Sequence, residues 1–294
     1  MGRAGSILLV LAVAAISCAQ TPAPVLSEAR PAAEAPPAFE RRSVERTRGD
    51  CTAEAAPCAR FVAQFFVVSG GVRPAVREAV NRALLGLVAG RTALGVPEDE
   101  GDEPPATIDE AAIDFFSGWA ESRAELPEDA PAAYARWVDE RRLEVIHADH
   151  RVLSVELGLY AFTGGAHPNT FIELASFDLA TGKPLELADL VADGADARLA
   201  ALGERQFRKA REIPEGESLE EAGFWFEDDR FELSGNFAVT AEGLAFVFNP
   251  YEVAPYVFGP TRITLPWKEL RGLLRPGAPG APAAATARGT ATRT

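Results

Sequence analysis

Apolar positions along this chain switch between two periods, and the switches mark its elements. Phe61, Val62, Phe65, Phe66, Val67 and Val68 make a strand-like run from Ala59 to Ser69, closed by Gly70 and Gly71. Pro74 then opens a helix whose Val76, Val80, Ala83, Leu84 and Leu87 fall at helical spacing, and Gly90 ends it. The acidic, proline-containing stretch from Glu98 to Pro105 reads as a loop. A second helix begins near Thr107, with Ile113, Phe116 and Ala120 on one face and Phe115 and Trp119 widening it. Trp137 to Ile146 and Arg151 to Phe162 read as two strands joined at the His147 to His150 turn. Thr170 to Leu179 is a further strand, Leu185 to Leu190 leads into a helix, and residues 194–211 are helical. Phe237 to Thr240 and Gly243 to Phe248 form a hairpin, Arg262 to Leu265 another strand, and Trp267 to Leu274 a short closing helix. Strands and helices mix without a repeating βαβ order, which predicts an α+β fold of mainly antiparallel sheet with packed helices. Phe224, Trp225 and Phe226 fit either core or surface.

The two ends lack such periodicity. Arg3 followed by the ten apolar residues Ile7 to Ile16 is too short for a span of ~20 residues and suits an export signal. Ala15-Ile16-Ser17-Cys18 resembles a bacterial lipobox, with alanine where leucine is usual, so residues 1–17 are expected to be removed and Cys18 lipidated. An ordinary secretory signal with an incidental cysteine is the alternative. Ala19 after that cysteine favours the outer membrane, on its periplasmic side or surface, if the envelope is Gram-negative. Residues 18–48, rich in Ala, Pro and Glu, read as a disordered tether, and residues 276–294 as a disordered tail. With Cys18 lipidated, Cys51 and Cys58 remain, an even pair expected to form a local disulfide in an oxidising compartment. A metal pair is the alternative, but two cysteines without nearby histidines make a poor site.

Charge narrows the partners. The net charge of −14 disfavours nucleic acid and anionic lipid surfaces, and it favours basic partners where it does more than confer solubility. His147 and His150 offer two metal ligands where a site needs more, and Glu227, Asp228 and Asp229 lack the alternation of a calcium loop. No metal, cofactor or catalytic constellation is therefore expected.

Two turn-rich aromatic motifs carry the candidate chemistry. Tyr160, Thr163, Gly164, Gly165, His167 and Asn169 belong to one, and Asn249, Tyr251, Glu252 and Tyr256 to the other. Glycine pairs and X-Pro steps fix special backbone conformations, and tyrosine adds contact area at low entropy cost. These ten residues are the candidate ligand contacts. In the alternative, His167 closes its own loop onto a backbone carbonyl, and the Tyr251 loop packs on Trp267 and Phe258.

The order of these motifs resembles a known family. Thr163-Gly-Gly-Ala-His-Pro-Asn-Thr170 precedes Phe177-Asp-Leu-Ala-Thr-Gly-Lys183 and Leu187-Ala-Asp-Leu190, and then come Phe237 to Leu244, Phe248-Asn-Pro-Tyr-Glu252 and Gly259-Pro260. This is similar to the extracellular domain of RsiV-type anti-sigma factors, also found in PdaC-type peptidoglycan deacetylases. The resemblance covers residues 150 to 272, with a fainter likeness to the partner domain upstream. It implies residues 49–150 as an N-terminal α+β part and 151–275 as the RsiV-like domain. It also implies binding, since the RsiV-type region binds lysozyme. The chain shows neither a sigma-binding segment with a transmembrane helix nor a deacetylase domain, so signalling and deacetylation do not carry over. The expectation is a lipid-anchored envelope protein that binds a lysozyme-type protein. A peptidoglycan-binding module and an uncharacterised envelope hydrolase are the rivals.

Overall fold

A computed structural model describes residues 36–90, 107–127 and 129–282. The expected signal, Cys18 and the last residues of the expected tail lie outside them. Five strands stand side by side in chain order: β1 (Ala38–Gly49), β2 (Cys58–Gly70), β3 (Arg136–Ala148), β4 (Val152–Phe162) and β5 (Asn169–Asp178). All pairings are antiparallel except β2 with β3, which run parallel. A parallel step needs a long crossover. Here α1 (Pro74–Ala89) and α2 (Ile108–Glu125) lie in it. Pro74 starts α1 as the sequence predicts, and Gly90 ends it in the left-handed region, its amide reaching Gly86 and Leu87 carbonyls. Thr107 and Glu110 close a reciprocal capping box on α2.

Alternation along β5 builds three layers. Ala175 and Phe177 face the helices and join a core with Val76, Val80, Leu84 and Ile108. Leu174, one residue out of phase, packs with Ala238 and Val247 of a second sheet. That sheet has three antiparallel strands, β6 (Phe237–Val239), β7 (Gly243–Phe248) and β8 (Thr261–Pro266). Its far face carries a separate core with α4 (Asp196–Arg211), preceded by the single turn α3 (Leu187–Leu190). Phe207 sits at its centre within 4.9–5.5 Å of the Phe224, Phe226, Phe231 and Phe248 rings. The aromatic triplet divides by alternation: Phe224 is buried and Trp225 is 52% exposed. The architecture is α+β.

Four expectations are corrected. Residues 38–49 are not tether but the long edge strand β1, paired with β2 over its whole length. Its charges hid it, because an edge strand guarded by arginine and glutamate shows no apolar alternation. The division at 150 falls inside the β3–β4 hairpin, where Asp149 Oδ1 accepts from Arg151 N and Val152 N. In place of a disordered tail, the stretch after 276 begins packed. Ala278 is buried, Gly277 O accepts from Arg151, and a Cβ on Gly280 would meet Val239 Cγ1 at 2.3 Å. The closing helix α5 is one turn, Trp267–Leu270. Cys51 and Cys58 are joined by a disulfide at the β1–β2 turn. No helix among the described residues is long and apolar enough to cross a membrane.

Candidate functional site

Three loops meet near the start of β5. The first, between β4 and β5, is anchored by Gly164, whose φ of +82° suits glycine and whose Cβ position lies 2.6 Å from Tyr134 O. That close approach fixes where His167 emerges. The second carries Tyr251, one of few non-glycine residues here with positive φ, at 69°. Its turn is held by Tyr251 N donating to Ala254 O and Glu252 N donating to Asn249 O. The third is the one-turn helix Tyr256–Phe258. Arg211, at the end of α4, holds it by donating to Phe258 O and Gly259 O, both at 3.0 Å, and to Thr261 Oγ1. Burial pulls the Arg211 pKa below its ordinary value, and its guanidinium also lies over the Phe224 ring.

These loops bring three rings together. His167 stacks on Tyr256 with centroids 4.0 Å apart and planes 18° apart. Tyr251 lies over Tyr256 at 6.0 Å, and its hydroxyl reaches His167 Nε2 at 3.4 Å. His167 Nδ1 donates to Pro168 O at 2.9 Å, and in the neutral ring Nε2 is then the acceptor for that hydroxyl. His167 thus does close its own loop, and it is also an exposed member of a stack. Tyr251 is 57% exposed, and neighbouring Val257 is 85% exposed. Glu252 follows Tyr251 in the same turn and is exposed.

The other expected contacts separate from this cluster. Asn249 is 6% exposed and structural. Ile172 N donates to its Oδ1 at 2.8 Å and its Nδ2 donates to Ile172 O at 2.9 Å. Glu252 Oε2 accepts from Asn249 N at 2.8 Å, fixing the turn. Tyr160 stands on the sheet opposite Glu140 and Thr170, Thr163 and Gly165 are exposed on the loop, and Asn169 opens β5 opposite Ala161. Among the described residues none of these four makes a ring contact or side-chain hydrogen bond to the stack. Trp267 donates to Thr240 O, away from Tyr251.

Sequence reasoning missed Arg211 and Asn236. Asn236 repeats the work of Asn249, accepting from Leu174 N at 2.7 Å and donating to Ile172 O at 2.6 Å. Side-chain amides thus take over the outer edge of β5 where no strand pairs with it. Nothing local in the sequence marks them, since their partners lie 62 to 77 residues away. Among the described residues no group of three or more His, Cys, Asp or Glu could hold a metal ion.

Residues 188–268 match the family model described as "Protein of unknown function (DUF3298)". No curated protein matches the chain. Two crystal structures of DUF3298 family proteins share the fold. One, from Bacteroides fragilis NCTC 9343, is 19% identical, with a TM-score of 0.65 over 83% of this chain and 96% of that chain. The other, from Pseudomonas aeruginosa PAO1, is 18% identical, with a TM-score of 0.59 over the same shares.

Proposed function

We propose that this chain is a non-catalytic binding protein of the bacterial envelope, lipid-anchored through Cys18, whose ligand sits on the His167, Tyr251 and Tyr256 rings. One observation carries the reading. A tyrosine in the left-handed region costs about 1–2 kcal/mol relative to ordinary backbone. Here that conformation, held by flanking backbone hydrogen bonds, places a ring in solvent rather than in the core. Strain kept for an exposed aromatic is expected where the ring meets a partner.

The resemblance to RsiV-type extracellular domains supports a protein ligand, a lysozyme-type muramidase, with sensing or inhibition as the role. The net charge of −14 suits such a basic partner by steering encounter. The flat stack of His167 and Tyr256 favours a second reading, a peptidoglycan sugar laid against it. Co-sedimentation with purified sacculi, beside binding to a panel of soluble muramidases at low salt, tests both. Binding to a muramidase without glycan supports the first reading, and binding to sacculi alone supports the second. A folded chain that binds neither overturns both.

A further inference from the structure

Far from the aromatic stack in the chain, the five-stranded sheet comes apart. The β2–β3 ladder runs from Cys58 opposite Arg136 to Gln64 opposite Arg142 and stops there. β2 nonetheless continues to Gly70 on its pairing with β1, and β3 continues to Ala148 on its pairing with β4. Between the parted strands lies an open cleft of about 690 Å³. On the α1 side Asn81 takes up the free edge of Val68, accepting from its N and donating to its O. The cleft is therefore short, with room for a few residues.

Its walls are sorted by strand alternation. Cross-strand partners share a face, so Gln64 and Arg142 lie together, and Phe66 lies with Arg41. The adjacent residues Phe65, Leu143 and Val145 belong to the opposite, helix-facing side and to its core cluster. One side of the cleft thus carries Arg41, Arg142, Gln64 and Glu144 over the buried Phe66, and the other is apolar except for Arg42, opposite Phe65, in a chain whose net charge is −14. The arginines are loosely engaged. Arg42 pairs with Glu40 at 3.2 Å and Arg142 with Glu144 at 3.7 Å, all four side chains at least half exposed. Pairs of this kind contribute about 0–1 kcal/mol and exchange readily for another carboxylate. Arg41 has no ion pair among the described residues.

We propose that this cleft binds an extended acidic peptide that alternates carboxylate and apolar side chains. Its backbone would add to the strand edges left by the parting of β2 and β3. Its carboxylates would meet Arg41 and Arg142, and its apolar residues would meet Phe65, Leu143 and Val145. Period-two alternation in the walls selects a strand-like occupant, and the sign of the charge selects an acidic one.

The test is fluorescence anisotropy with the full chain and a labelled hexapeptide alternating glutamate and valine. A block peptide of the same composition and a lysine–valine peptide are the comparisons. The alternating acidic peptide should bind saturably and tighter than either, and Arg41→Glu with Arg142→Glu should weaken it roughly tenfold or more. Hydrogen exchange on the wild-type chain supplies a readout that needs no variant. Bound peptide should protect amides in 65–67 and 143–146 and leave 251–258 unchanged. Absent saturable binding, equal binding of the block or lysine peptide, protection elsewhere, or an unaffected folded double variant would each overturn the proposal.

Discussion

Replacing Asn249 with alanine distinguishes a staple from a ligand contact. The amide makes two hydrogen bonds to one residue, at 2.8 Å from Ile172 N and 2.9 Å to Ile172 O. Asn236 also donates to that carbonyl, so Asn249→Ala orphans only the Ile172 amide. A lost hydrogen bond costs about 1 kcal/mol and an unsatisfied buried donor about 1–3 kcal/mol. Because Ile172 is only partly buried, the variant should lose about 2 kcal/mol. For a chain of this size that lowers Tm by roughly 4–8 °C. Asn236→Ala should cost a similar amount by orphaning Leu174 N. Only the double variant strips Ile172 O of both donors, so it should exceed the sum of the singles by about 1–3 kcal/mol. Urea unfolding followed by tryptophan fluorescence measures all four corners of the cycle. A single variant within ~0.5 kcal/mol of wild type, or strict additivity, would refute the edge-stapling argument.

Other expectations concern single features. Reducing the Cys51–Cys58 disulfide, seven residues apart, should remove about 2.5 kcal/mol from the chain-entropy term, read as a lower urea midpoint with reductant. Gly164→Ala forces a side chain against Tyr134 O at positive φ, so it should both lower Tm and weaken ligand binding, whereas Gly216→Ala, also at positive φ but with open space around it, should lower Tm and leave binding intact. Burial raises the Asp149 pKa, but amides of Arg151 and Val152 outweigh it and the net shift is downward. Its contribution to stability is therefore present above the ordinary carboxylate value of about 3.9 and is lost as pH falls through the depressed value. Asp149→Ala should flatten the acid limb of the stability profile, and an unchanged limb contradicts the assignment.

How far the sequence could be read depended on whether signals were local. Helix ends were legible at Pro74, Gly90 and Thr107 because capping signals act within a few residues. The strands with apolar alternation were legible for the same reason. β1 was not, because its partner supplies the apolar surface and its own residues supply the guard. The small-residue stretch after 276 resembled a tail because Gly280 packs through backbone rather than side chain. At the site, the aromatic content of two motifs pointed to His167, Tyr251 and Tyr256, which do converge. Asn249 carried the same local signal and went to the scaffold, a choice set by its distance to Ile172. Arg211 lay in an ordinary amphipathic helix and showed its loop-holding role only once β8 was placed beside it.

The most direct test of the central claim is calorimetric titration of a C-type lysozyme into the chain and its Tyr256→Ala variant, at low and moderate salt. Tyr256 lies under both His167 and Tyr251, so its removal dismantles the stack without touching the Asn249 staple. The account predicts saturable binding that weakens with salt and is lost in the folded variant. Binding of equal strength to both proteins would place the ligand elsewhere and contradict the aromatic site.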